Sequence, residues 1–272
     1  MRYEIIGPLR IVDDHGGFSI HAKKMQILLA VLLVRANHVV PASQLMEEIW
    51  GEDLPRRANA GIHVYISQIR KSIQRTGRQE CPLVTWAPGY VLQLGSDELD
   101  ILTFEQLVNT ARGHLRNQSY EKASACFERA LGLWRGPLLG DMYHGSILES
   151  AQAWLDETRM ECIEMLMRAR LTMGHHHELV SDLYQLVKDY PLREGMHCLL
   201  MLALYRSGRR ADALEAYQSA RRILNQELGL EPGRDLQDIQ RAILADDGWL
   251  DVRRPDHGLP IGSSPELAGL LA

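Results

Sequence analysis

Four isoleucines, at positions 62, 66, 69 and 73, constrain this chain more than any other feature. At about 100° per residue they fall in one narrow arc of a helix, an apolar stripe that must be buried against a core. The far side of the same stretch, IHVYISQIRKSIQ (62–74), presents His63, Ser67, Arg70 and Gln74. Val64 and Lys71 lie at its margin, and Tyr65 flanks the isoleucines. Taken alone this is an ordinary amphipathic helix. Its neighbours narrow the choice. Upstream, HVVPASQLMEEIWG (38–51) reads as a loop, an N-cap at Ser43 and a short helix stopped by Gly51. The S-x-x-E capping box there is incomplete, because Met46 stands three residues after Ser43. A turn holding Arg56 and Arg57 leads into the isoleucine helix, which is expected from about Asn59 to Arg75. After Gly77 come a strand LVTW (83–86), a turn APG and a strand YVLQL (90–94). Two helices across a short turn, followed by a hairpin, is the layout of a winged helix-turn-helix. There the second helix enters the major groove and the hairpin touches the flanking backbone.

The residues before this unit add three short strands: YEIIG, LRIV after Gly7-Pro8, and FSIH after the turn cluster Asp13–Gly17. ILLAVLLV (27–34) is bounded by Lys23, Lys24 and Arg35 and is far shorter than the roughly 18–20 apolar residues that span a bilayer. It reads as a buried core helix. The predicted order is β-β-β-α-α-α-β-β, an α+β winged-helix domain over residues 1–95.

From Leu99 onward the patterns are helical, with breaks near 117–119, at Gly136-Pro137, Gly174, Pro191, Gly208 and Pro232-Gly233. Gly174 and Gly208 are 34 residues apart, the tetratricopeptide period. The segment 117–134 has the look of a second repeat helix, with Tyr120, Ala123, Phe127 and Ala130 on one side. The block 136–172 does not keep the period, so the array is irregular. Such helix pairs bury their faces only by stacking on neighbours. Residues 96–245 therefore read as an all-α, tetratricopeptide-like domain. The Gly-, Pro- and Ser-rich tail 246–272 reads as disordered.

Length and charge fit this division. A chain of 272 residues is comfortable as two domains. The formal net charge is -5, yet residues 1–95 hold 11 Lys+Arg against 8 Asp+Glu, while 96–272 hold 19 against 27. An anionic partner would meet the N-terminal part. Cys81, Cys126, Cys162 and Cys198 have neither CxxC nor zinc-ligand spacing and read as reduced thiols. The N-terminus lacks a signal-peptide pattern, so a cytoplasmic protein, associated with the nucleoid when bound to DNA, is expected. Adjacent histidines in GHHHE (174–178) point in different directions on a helix, and no metal is expected. LWRGPLLGD (133–141) reads as a structural turn. There is no nucleophile elbow or catalytic His/Cys pattern, no cofactor is implied, and the chain is expected not to be an enzyme.

On the exposed face of the isoleucine helix, Arg70 pairs bidentately with guanine in principle, while His63, Ser67 and Gln74 reach base edges and Val64 suits a thymine methyl. Lys71, Arg56 and Arg57 are placed for phosphates, which give affinity without sequence information. Asn59, Gln68, Arg78 and Thr85 complete the expected DNA-contacting set.

The stretch from VVPASQLMEEIWG through "V-x-I-x-x-I-R-K" to LVTWAPGYVL, with its Gly89-Tyr90 pair, resembles the OmpR-type winged helix. Together with IIGPLRIV, LDILTFEQLVNTAR, ALGLWRGPLLGD, YPLREGMHCLLMLALYRSGRRADALEAY and ELGLEPGRDLQDIQRAIL, it makes residues 1–245 resemble a SARP-type activator, the antibiotic regulatory protein family. That resemblance implies an OmpR-type DNA-binding domain followed by a bacterial transcriptional activation domain. It implies binding to direct repeats in promoter DNA, self-association side by side on the duplex, and recruitment of the RNA polymerase holoenzyme. It also implies control of a secondary-metabolite gene cluster. With no GxxxxGK[ST] loop and no receiver domain, the chain resembles the small, stand-alone kind. One departure stands out. Many winged-helix relatives have a basic residue on the wing, where this chain has Trp86–Gly89; Arg78 is the nearest substitute. The rival reading is a helical scaffold whose winged helix binds protein instead of DNA.

Overall fold

The apolar run at 27–34 becomes the centre of the first part of the molecule. The structure, a computed structural model, describes residues 1–13, 16–18, 20–74, 80–140, 145–247 and 250. Helix α1 (Lys23–Val34) is buried without interruption from Ile27 to Leu33, and Leu28 to Leu33 have no exposed surface. It is preceded by strands β1 (Arg2–Glu4), β2 (Arg10–Asp13) and β3 (Gly16–Phe18). Helices α2 (Ala42–Trp50) and α3 (Ala58–Gln74) pack on α1 and on each other. A three-stranded antiparallel sheet, in the order β4-β6-β5, joins β4 (Val40–Pro41) to the hairpin β5 (Leu83–Trp86) and β6 (Gly89–Leu92). The other sheet runs β3-β2-β1-β7, with β7 (Glu98–Leu99) parallel to β1.

The expected element order is present with two additions, β4 and β7. Each has two residues, too few to show any alternation in sequence. Gly89 explains why β4 pairs at all: it lies opposite Pro41, and a Cβ there would fall on the carbonyl of Val40. One local expectation is corrected. Ser43 is not an N-cap; α2 begins at Ala42, its N-cap is Pro41, and no side chain caps it. The preceding strand residue carries the chain straight into the helix.

The chain divides into two compact units. One comprises Met1–Gly113 with Ala125–Ile163, the other His114–Ser124 with the described residues from Glu164 onward. Helices α4 (Asp100–Arg116), α5 (Tyr120–Leu131) and α6 (Ser146–Thr172) contribute residues to both.

In the first unit two buried carboxylates join segments far apart in sequence. Asp100, at the start of α4, accepts the N–H groups of Ile5 and Ile6 through Oδ2, each at 2.8 Å. Arg135 stands beside it at 3.8 Å and donates to the carbonyl of Pro8 at 3.0 Å. The backbone N–H groups of Arg135 and Leu139 reach the carbonyls of Ile6 and Ile5. The Gly-Pro punctuation of 133–140 is thus a turn shaped to dock on IIGP. Gly7 belongs at that contact, because its φ is +117° and a Cβ would meet that of Arg135 at 2.8 Å. Glu48 of α2, 4% exposed, makes the other junction. It accepts the N–H of Ile147 at 2.7 Å and the hydroxyl of Ser146 at 3.3 Å, capping the N-terminus of α6 from another element. Burial pushes its carboxyl up, and these bonds oppose the rise.

The second unit holds α7 (His176–Asp189), α8 (Glu194–Arg206), α9 (Arg210–Leu228) and α10 (Arg234–Ala245). α8 packs on the other three and is buried without interruption from Met196 to Leu204. The 34-residue spacing marks two equivalent exits. At Gly174 (φ +90°) the N–H groups of 174 and 175 return to Leu171 and Arg170; at Gly208 (φ +75°) those of 208 and 209 return to Tyr205 and Leu204. Cys162 and Cys198 are buried thiols pushed up to about 12 by burial, and all four cysteines are free. The tail expected to be disordered lies outside the described residues except for Asp246, Asp247 and Leu250. Leu250 is fully buried, and its carbonyl accepts from Arg206 Nε at 2.7 Å. Among the described residues no helix is long and apolar enough to cross a membrane.

Burial raises the Asp100 carboxyl from its ordinary 3.8 to about 6, against the pull of the Ile5 and Ile6 N–H groups and Arg135. The folded state therefore holds this proton more tightly than the unfolded chain. Its contribution to stability falls as pH rises from about 4 to about 6 and is flat above. Asp100→Asn removes that slope. Relative to the variant, the unmodified protein should lose about 2 kcal/mol between pH 4 and pH 7 in denaturant melts. A pH-independent difference would refute this.

Candidate nucleic-acid interface

The rotation of α3 is set by burial. Ile62, Ile69 and Ile73 are fully buried and Ile66 is 2% exposed, so the opposite face is turned outward. Trp50, the penultimate residue of Ile-Trp-Gly, fixes the start of the helix. Its ring stacks on Tyr65 at 6.1 Å, with Lys24 Nζ 5.1 Å from its centroid. Gly61 admits this ring, since a Cβ there would sit 3.1 Å from it.

Most of the expected contact residues are exposed: Arg56, Arg57, Asn59, His63, Val64, Ser67, Gln68, Lys71, Gln74 and Thr85. Val64 is 51% exposed, an apolar point amid polar neighbours. Arg78 lies outside the described residues. Arg70 is placed differently from the others. It is half-buried, and its guanidinium turns to the hairpin: Nε donates to the carbonyl of Leu83 at 2.9 Å and Nη2 to Thr85 Oγ1 at 2.8 Å. Arg70 and Thr85 are thus partners of each other in this structure.

A second link joins the same elements. The Tyr90 hydroxyl meets His63 Nδ1 at 2.9 Å. Burial raises the phenol, with Arg70 opposing. A neutral phenol that donates to Nδ1 leaves the imidazole proton on Nε2, where it is a donor for an acceptor such as guanine N7 or a phosphate oxygen. The Gly89-Tyr90 pair therefore has two jobs. Gly89 lets β4 approach, and Tyr90 orients a residue of the exposed helical face. Tyr90, Trp50 and Lys24 were not foreseen as parts of the site, because they support it from elements distant in sequence.

A helix locked by an apolar stripe, presenting amide, hydroxyl, imidazole and ammonium groups beside a fastened hairpin, has the form of a winged helix. Comparison with known proteins agrees. Residues 19–92 match the family model for the C-terminal domain of transcriptional regulatory proteins, and residues 99–244 match that for the bacterial transcriptional activator domain. The chain is 34% identical to the regulatory protein DnrI of Streptomyces peucetius over 98% of its own length and all of that protein's. It is 35% identical to the transcriptional regulator RedD of Streptomyces coelicolor, covering 91% of this chain and 71% of RedD. A solved structure of Mycobacterium tuberculosis EmbR, in complex with a low-affinity phosphopeptide, superimposes with a TM-score of 0.86 at 28% identity, over 90% of this chain and 65% of that one. The protein belongs to the bacterial transcriptional activator domain family and is a transcriptional regulator of the SARP type.

The two adjacent cations of α3 should separate by experiment. Arg70→Ala unfastens the hairpin and should lower stability by about 1–2 kcal/mol. Lys71→Ala, at an exposed position, should stay within about 0.5 kcal/mol of the unmodified protein. Chemical denaturation decides, and equal midpoints for the two variants would contradict the assignment.

Proposed function

We propose that this regulator binds promoter DNA sequence-specifically through the outward face of α3. Residues 1–95 serve as the reading module and 96–245 as the activating one. The observation that carries the reading is the fixed rotation of α3, which points Asn59, His63, Ser67, Gln68 and Lys71 outward together. Ser67, Gln68 and His63 read base edges, while Lys71, Arg56 and Arg57 hold phosphates. Arg70 positions the hairpin. Protomers sit side by side on direct repeats, and the helical module recruits RNA polymerase, switching on a secondary-metabolite cluster from the cytoplasm. The basic excess of the reading module and the acidic balance of the rest support this division of labour.

Gel-shift titration of a duplex from the promoter beside the protein's own gene tests the reading. Binding should exceed that of random duplex at physiological salt. Gln68→Ala should cost about 1–3 kcal/mol on the specific site and relax its preference. Lys71→Ala should weaken both duplexes and reduce the salt slope by about one. Equal affinity for both duplexes in the unmodified protein would overturn sequence-specific activation and favour a protein-binding scaffold.

A further inference from the structure

The hairpin that flanks α3 has no cation: from Glu80 to Ala111 the sequence holds neither lysine nor arginine. It has an exposed indole in their place. Trp86, the last residue of β5, is 59% exposed, the highest value among the large apolar side chains of the described residues that are exposed. Its register partner across the hairpin is Gly89, which has no side chain to cover the ring. The next residues are Ala87 and Pro88, small and uncharged. The tip thus presents an indole, a ring with an apolar body and a polar N–H, suited to a surface that is partly apolar and partly wet.

The hairpin is also held in a defined place. Leu83 and Thr85 of β5 accept from Arg70, and Tyr90 of β6 is bonded to His63. Three hydrogen bonds therefore tie the strands flanking Trp86 to the helix whose outer face carries Ser67, Gln68 and Lys71. Whatever α3 docks against, the tip is presented alongside it.

Resting on the DNA-binding reading above, we propose that Trp86 is the wing's contact with DNA. Its indole packs on deoxyribose edges of the minor groove that borders the major groove read by α3. This contact is apolar and independent of salt, unlike a phosphate contact, which releases counterions.

The test uses a duplex enriched from a random library by the full chain itself, titrated across a range of salt concentrations. Trp86→Ala should weaken binding about tenfold at every salt concentration. The slope of log affinity against log salt should not change. Trp86→Phe should retain most of the affinity, and Trp86→Arg should steepen the slope by about one. Melting should be unaffected, since the ring is exposed; if Trp86→Ala melts early, Trp86→Gln takes its place in the comparison. Binding by Trp86→Ala within about twofold of the unmodified protein overturns the proposal, as does a slope that falls with the affinity. In those outcomes the ring serves a protein partner or none. If the unmodified chain enriches no duplex, the DNA-binding reading itself fails, which is a different result.

Discussion

Everything proposed for this protein depends on the burial of one stripe. Ile62, Ile66, Ile69 and Ile73 press α3 onto α1, which is buried from Ile27 to Leu33. Burying each isoleucine stabilises by about 1.5–3 kcal/mol. Turning the helix by a single residue, about 100°, would expose that stripe and bury His63, Ser67 and Gln74 in its place. The orientation of the polar face is therefore a consequence of the core. A reading surface need not be specified residue by residue if the opposite side of its helix cannot move.

The hairpin is subject to a different constraint. Two-stranded hairpins are marginal alone and need a partner surface. Here the partner is α3, through Arg70 and the Tyr90–His63 pair, and through β4, which Gly89 admits to the sheet. Arg70 faces both ways in its chemistry. In sequence it is a natural guanine reader; in space it is within reach of two acceptors on β5 and donates to both. The guanidinium's planar fork suits that dual donation where a lysine would not. Elsewhere in the same unit, buried carboxylates act as junctions. Glu48 caps α6 and Asp100 gathers the Ile5 and Ile6 N–H groups, each replacing a backbone partner that the local chain does not provide.

Much of this was legible beforehand. The isoleucine spacing, the apolar run at 27–34, the hairpin flanking APG and the 34-residue glycine register all survive as elements of the structure, because each is a local pattern repeated over enough residues to be read. The exposed face of α3 was legible for the same reason, as the complement of the stripe. β4 and β7 were not, since two residues have no period. Ser43 misled, because the helix there is entered directly from a strand and needs no hydroxyl cap.

The sequence by itself determined which helix carries the polar face, which residues lie on it, and that a winged helix precedes a helical array. Those follow from periodicity and turn chemistry, which act over a few residues. Tertiary structure alone decided which of those residues are held and which are available. Arg70 and Lys71 are adjacent in the chain and both basic, yet one is bonded to a strand 13 and 15 residues away and the other is open to solvent. Composition does not distinguish them. Only the folding of β5 against α3 brings the acceptors within reach, and hydrogen bonds are decided by distance in space, not by spacing along the chain.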